Sequence, residues 1–236
     1  MEKYIYIYHH LGMGDSILCN GLVRHFAESY EKVFVFAKKP YTSNVVYMYR
    51  DNPNIKILHF ENDDGVKSFI KLNTNNKYLI VGHTHEYFYK LDVLKNITFD
   101  QGFYEMANIP FEYKWTKFYF QRDYEKENEA FEIAGIKKED EYIFVHDDPE
   151  RNRIFRKEYI NPNIKSIHPA KLQNINLFHF FSIIENAKEI HVHNSSFANI
   201  LDTMRFKSDK VFYHKYARTD CADQTFDKNL NWTFYE

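Results

Sequence analysis

Residues 3–30 read KYIYIYHHLGMGDSILCNGLVRHFAESY, and the change of period inside them decides the fold. Lys3–His9 is dense in β-branched and aromatic residues, the composition of a strand. Leu11–Ser16 holds Gly12, Gly14 and Asp15, the composition of a turn. From Ile17 to Tyr30 the apolar residues Ile17, Leu18, Leu22, Val23, Phe26 and Ala27 recur at helical spacing on one side. Further along, Lys32–Phe36, Ile55–His59 and Lys77–Gly82 read as strands, and Ser43–Arg50 and Gly65–Leu72 as helices. The first of those helices stops before Asn52-Pro53. A β-α-β-α-β order predicts parallel strands with helices on both faces.

The alternation then repeats. Gln121–Ala134 is a charged helix with Gly135 as its stop, and Glu141–Val145 and Ile164–Ile167 are strands. Leu177–Ala187 (helix), Glu189–Val192 (strand), Phe197–Met204 (helix) and Lys210–His214 (strand) complete the run. A hinge near Asn108–Gln121 is expected, giving lobes over residues 1–115 and 116–236 with a cleft between them. Ligands of open parallel sheets bind beyond the carboxyl ends of the strands, so the loops there are where chemistry is sought.

Composition narrows the function. The 236 residues are 44% hydrophobic and 27% charged, which describes a folded globular chain and argues against disorder. Lys plus Arg is 31 and Asp plus Glu is 33, a net charge of −2, so a nucleic-acid partner is not expected. Cys19 and Cys221 have no metal-ligand spacing and form no disulfide framework, which points to a reducing compartment. No apolar run approaches the ~20 residues of a membrane span. The amino-terminal MEKYIYIYHH lacks a signal-peptide pattern, so the cytoplasm is the expected location. The 22 Phe and 19 Tyr accompany abundant Asn, Lys and Ile, all residues with AT-rich codons. Genome base composition accounts for them, with a sugar-binding aromatic surface as the alternative.

Three loops carry candidate chemistry. His9–Ser16 pairs Gly12 and Gly14 with Asp15 or Ser16 at a helix N-cap position; the same residues also read as a plain tight turn and cap. A dinucleotide fingerprint is absent: Ile17 stands at the third glycine position, and Phe36–Lys39 lacks the ribose-binding acid. His146–Arg153 combines Asp147 and Asp148 with Arg151 and Arg153, whose planar forks suit a diphosphate. Asn194, Ser195, Ser196 and Phe197 open a helix whose first N–H groups lack internal partners, an anion site as well as an ordinary cap. The pairs His83/His85 and His191/His193 alternate on one side of an extended chain, but spacing fixes no third metal ligand. A contact with an acceptor is the better role for His83 and His85.

These residues resemble the heptosyltransferase-like glycosyltransferases (family 9), of GT-B architecture: an α/β fold of two Rossmann-like lobes with parallel sheets facing across a cleft. Gly12-Met13-Gly14-Asp15 with its following helix, Phe103–Pro110 (FYEMANIP) and Phe178–Met204 carry the resemblance. The Asp147-Asp148…Arg151-x-Arg153 and Ser195-Ser196-Phe197 elements are also similar to fucosyltransferase-type enzymes. The resemblance implies inverting transfer of a sugar from a nucleoside-diphosphate sugar to a hydroxyl of a glycan or glycolipid. It makes Asp15 the base, with His10 as substitute, and assigns donor binding to Gly12, Gly14, Asp148, Arg151, Arg153, Asn194, Ser195, Ser196 and Phe197. Fixed donors of this kind would replace a metal, and no Asp-x-Asp motif occurs, so neither metal nor cofactor is expected. An epimerase or hydrolase on the same fold, or a non-catalytic nucleotide-sugar-binding protein, is the alternative. Oligomeric state is left open.

Overall fold

Alternation along the first strand sets up a two-sided sheet. In a computed structural model, which describes residues 2–82, 97–172, 174–204, 210–221 and 223–236, β1 spans Glu2–Tyr8. Its Ile5 and Ile7 are buried on one face, while Tyr6 and Tyr8 meet aromatic residues on the other. The strand pairs in parallel with β2 (Tyr30–Lys38) and, on its other edge, with β4 (Tyr78–Ile80). With β3 (Ile55–Phe60) outside β2, the sheet order is β3-β2-β1-β4. The helices α1 (Met13–Leu18), α2 (Asn20–Ala27), α3 (Thr42–Tyr49) and α4 (Asp63–Leu72) are the crossovers that parallel pairing demands. Tyr8, Leu11, Phe36 and Val66 form the buried cluster beneath α4, and Tyr6 stacks on Phe34 with ring centres 4.6 Å apart. Most aromatic residues of this sheet pack into its core, and Tyr4 is exposed.

The expected helix over Ile17–Tyr30 is corrected. Helical backbone starts earlier, at Met13, is interrupted at Cys19 (φ −90°, ψ 4°), and ends at Ala27, after which Tyr30 already belongs to β2. Two helices missing from the sequence reading follow: α5 (Phe99–Met106), with a Thr98/Gln101 capping box, and α6 (Tyr113–Thr116). Gly21 is required where α2 meets α6, since a Cβ there would run into the Tyr113 carbonyl oxygen.

The second sheet has the order β6-β5-β7-β8-β9, with every pairing parallel. Its strands are β5 (Tyr142–His146), β6 (Lys165–Ile167), β7 (Glu189–Val192), β8 (Val211–His214) and β9 (Trp232–Tyr235). The reading from sequence lacked β9. The helix α7 (Tyr124–Ala134) is capped by the Asp123 side chain and ends at Gly135, whose φ of 62° is the left-handed stop expected there. The buried Glu127 of α7 accepts from Arg122 and Ser182. Leu177–Ala187 is not one helix: a 3-10 turn (Leu177–Phe180) leads into the short α8 (Phe181–Glu185). The last helix, α9 (Ser196–Thr203), is buried along almost its whole length.

The chain divides into two units, Met1–Gln121 with Ala222–Phe226 and Arg122–Cys221 with Asp227–Glu236. The changeover at 121/122 lies at the end of the hinge segment, six residues beyond the expected 115/116 limit, and the returning segment was not foreseen. Among the described residues no helix is long and apolar enough to cross a membrane.

The returning segment is fastened inside the first unit by a buried ion pair. Lys114 Nζ and Asp100 Oδ2 are 2.7 Å apart and both side chains are fully buried. Asp100 also accepts from Thr98 Oγ1 and the Thr225 N–H, and Lys114 donates to the Thr225 carbonyl. Removing one member of such a pair strands the other charge, at a cost of about 3–5 kcal/mol. Lys114→Met should lose that amount in urea denaturation; a loss below ~1 kcal/mol would show that the pair is not desolvated as described.

Candidate functional site

Each sheet reverses its winding once. In the first, β1 is followed on one side by β2 and β3 and on the other by β4; in the second, β5 is followed on one side by β6 and on the other by β7. At such a point the crossovers leave in opposite directions and open a crevice at the carboxyl ends of the strands. The loop after β1 occupies the first switch point, and the loops after β5 and β7 occupy the second. These are the three loops singled out from sequence. The loop after β4 contains His83 and His85, which lie outside the described residues.

At the first switch point, His10 holds a positive φ of 77° and Gly12 is the N-cap of α1, with an ordinary φ of −66°. The expectation that Asp15 or Ser16 caps the helix is corrected: α1 begins at Met13, and Gly14, Asp15 and Ser16 lie within it. Gly12 is needed for proximity, since a Cβ there would strike Asp15 Oδ2. That oxygen is 2.8 Å from His10 Nδ1. On the far side of the ring, His10 Nε2 lies 3.5 Å from Asp63 Oδ2, at the start of α4. Asp63 Oδ1 in turn accepts from Tyr8 Oη at 2.5 Å. Burial pulls the His10 pKa down, but the hydrogen bond and charge of Asp15, joined by Asp63, outweigh it and raise it above the ordinary imidazole value. The stabilisation from this pairing is therefore complete below the ordinary imidazole pKa and is lost as pH rises through the raised one. The two residues named from sequence for proton transfer, Asp15 and His10, are thus in direct contact. Asp63 and Tyr8 were missed; the only sequence signal for Asp63 is an acid in the first turn after β3.

At the second switch point, His146 ends β5 and its Nδ1 lies 3.1 Å from Ser195 Oγ, the N-cap of α9. The Ser195 oxygen accepts from the Ala198 N–H. The His146 ring stacks on His193, with centres 5.2 Å apart and planes 17° from parallel. Burial, with the neighbouring His193, pushes the His146 pKa down to about 3. Burial is also the main cause at His193, where Arg153 and Arg218 add to it and the value is about 4. The hydrogen bond between the neutral His146 ring and the Ser195 hydroxyl ties the end of β5 to the start of α9. Arg218 reaches the Asn194 carbonyl at 2.8 Å.

The loop after β5 is a tight hairpin: Asp148 and Arg153 exchange both backbone hydrogen bonds, and Asn152 turns the chain with a φ of 57°. Arg153 returns to the base of this hairpin and is only 14% exposed, with Asp148 at 3.8 Å and Asp220 at 3.6 Å. Arg151 stands at the tip, 63% exposed, 3.4 Å from Asp148. Phe197 is placed in the core rather than as a ligand-facing ring: it packs on Phe144, Phe180 and His146, which leaves its backbone N–H as the part available to a ligand. Asn194 and Ser196 are partly exposed beside Ser195. His146, His193 and Arg218 were not assigned to this site from sequence, although His146 and His193 were legible as residues at strand ends. His191, considered for a metal pair with His193, instead contacts His214 Nε2 at 2.9 Å and Glu189.

No protein-family model and no curated protein sequence matches this chain. Among solved structures, the chain is similar to one titled as a glycosyl transferase family 9 protein from Veillonella parvula DSM 2008. The TM-score is 0.58 at 9% identity, over 99% of this chain and 85% of that one. In fold, then, this α/β chain with two parallel sheets is like glycosyltransferase family 9, a GT-B structure.

The opposed shifts give a direct check. In an NMR titration of the ring nitrogens, His10 should be protonated at pH 6 while His146 and His193 stay neutral down to pH 5. Asp15→Asn should lower the His10 pKa. A His10 that titrates at the same pH in both proteins would contradict the contact.

Proposed function

We propose that this protein transfers a sugar from a nucleoside-diphosphate sugar to a hydroxyl acceptor. The observation that carries the reading is the joint placement of Asp15 and His10 at one switch point, on a fold shared with a glycosyltransferase structure. The first unit supplies the base. The acceptor oxygen attacks the anomeric carbon, its proton passes to the Asp15 carboxylate, and the bond from that carbon to the diphosphate oxygen breaks with both electrons leaving on oxygen. A single displacement of this kind inverts the anomeric configuration. His10 orients Asp15 and keeps its Oδ2 engaged, leaving the other oxygen to meet the acceptor.

The second unit supplies the diphosphate cradle. Donors fixed in place before reaction stabilise the charge that develops on the leaving group, each contributing on the order of 3 kcal/mol. The donors offered are Arg153, the Ser196 hydroxyl and the first backbone N–H groups of α9. Arg151, at the exposed tip, is a weaker contributor, and Asp148 steers the two guanidinium groups. With donors of this type and no Asp-x-Asp motif, the reaction is taken to be metal-independent, and chelator should leave the rate unchanged. A glycan or glycolipid serves as acceptor in this reading.

A thermal-shift series with UDP, GDP, ADP and CMP sugars tests it first. A donor at 100 times its Kd should add about 2.7 kcal/mol of stability, and no stabilisation by any of them would remove the reading. With the stabilising donor in hand, Asp15→Asn should keep donor affinity and lose roughly 10²–10⁴ in turnover, the range for a positioned acid or base. Arg153→Ala should weaken both binding and turnover more than Arg151→Ala does. Equal effects of the two arginines would refute the cradle as drawn, and donor consumption at full rate without acceptor would identify an epimerase or hydrolase instead.

A further inference from the structure

We propose that Asp63 is a positioning residue for the transfer reaction, the outer member of an Asp15–His10–Asp63 relay held in place by Tyr8; this rests on the reading of Asp15 as the base. The three side chains come from the turn and helix start after β1 and from the helix start after β3, at the carboxyl edge of one sheet, with His10 and Asp63 53 residues apart in sequence, and the imidazole lies between two carboxylates. His10 Nδ1 faces Asp15 Oδ2 at 2.8 Å and Nε2 faces Asp63 Oδ2 at 3.5 Å. The Gly12 N–H also points at Nδ1, but from 3.3 Å, so the shorter contact to a carboxylate places the proton on Nδ1, donated to Asp15. Asp63 is itself fixed: its Oδ1 takes the Tyr8 hydroxyl, and its place in the first turn of α4 suits a negative charge.

The arrangement answers a difficulty in using Asp15 as a base. A lone imidazolium beside a carboxylate orients it but also opposes its protonation. A second carboxylate on the far side of the ring balances that positive charge, so His10 can hold Asp15 in place with its charge shared. Sharing has a structural requirement, which is that Asp63 be presented to Nε2 and not swing to solvent; the Tyr8 hydroxyl meets it. When the acceptor's proton arrives on Asp15, His10 keeps its own two protons, and after product release the added proton returns to solvent from Asp15. Besides Asp15 and Asp63, the charged and titratable groups acting on His10 are Lys38 at the end of β2, which lowers its pKa, and the buried neighbour His9.

The experiment is an NMR titration of His10 in the full chain, wild type against Asp63→Asn and Asp63→Glu, followed by kinetics on the same proteins. Asp63→Asn should lower the His10 pKa and Asp63→Glu should restore it. Turnover in Asp63→Asn should fall roughly 10–100-fold, the range for outer partners that orient a reacting group, with donor affinity unchanged. In the wild type, the Asp63 carboxyl carbon shift should move at the pH where His10 titrates, which tests the coupling without any substitution. A His10 titration identical in Asp63→Asn and wild type, or a flat Asp63 carboxyl signal through it, overturns the relay whatever the enzyme does. A shifted titration with normal turnover also overturns the positioning role. Wild-type protein that shows the coupling but transfers no sugar defeats the functional reading and leaves the relay itself standing.

Discussion

Parallel strands cannot be joined by a tight turn, and everything else in this protein follows from that. Each strand must be followed by a crossover that carries the chain back, so every loop that enters a helix emerges at one edge of its sheet. The strand order then decides which of those loops have room around them. Because β1 lies between β2 and β4, and β5 between β6 and β7, the crossovers part beside His9–Gly12 in the first unit and beside His146 and Ser195 in the second. Polar groups can be exposed there while their strands stay buried.

The two switch points have opposite electrostatic characters. In the first, two carboxylates enclose an imidazole and favour its charged form. In the second, the imidazoles of His146 and His193 are packed against rings and near guanidinium groups, and both are driven to the neutral form. The arginines of this region stay charged across the ordinary pH range, and each is held by a neighbouring carboxylate, Arg151 by Asp148, Arg153 by Asp148 and Asp220, and Arg218 by Asp220. In the proposed reaction these guanidinium groups would turn from their carboxylates to a phosphate ester, and the first switch point would take the proton.

Much of this architecture was legible in the sequence because strand composition and helical spacing are local. KYIYIYH and EIHV could be read as strands and Gly135 as a helix stop without any tertiary information. The capping box of Thr98 and Gln101 was also in the sequence and would have revealed α5. What could not be read was non-local. β9 is a four-residue strand whose Thr233 and Phe234 are exposed, so it carries no core pattern of its own and exists by pairing with β8. The break at Cys19 interrupts a stretch whose apolar spacing runs straight through it. The pairing of Asp100 with Lys114 has no local signature and is buried with the help of the returning segment, through Thr225. Asp63 and Tyr8 are 55 residues apart and meet only because β1 and the loop after β3 end at the same edge. Within the loops named from sequence, the placement of single side chains was not legible: Phe197 packs in the core, Arg151 stands at an exposed tip, and Arg153 lies at the hairpin base between Asp148 and Asp220.

The claim on which the account turns is that the second switch point receives a nucleoside diphosphate. Amide chemical-shift mapping of the full chain, titrated with the nucleoside diphosphate whose sugar ester stabilises the protein, tests it most directly. The account predicts that the largest changes fall on residues 146–153 and 193–198, at the carboxyl ends of β5 and β7. Changes concentrated elsewhere in the second unit, with those two loops silent, would contradict it.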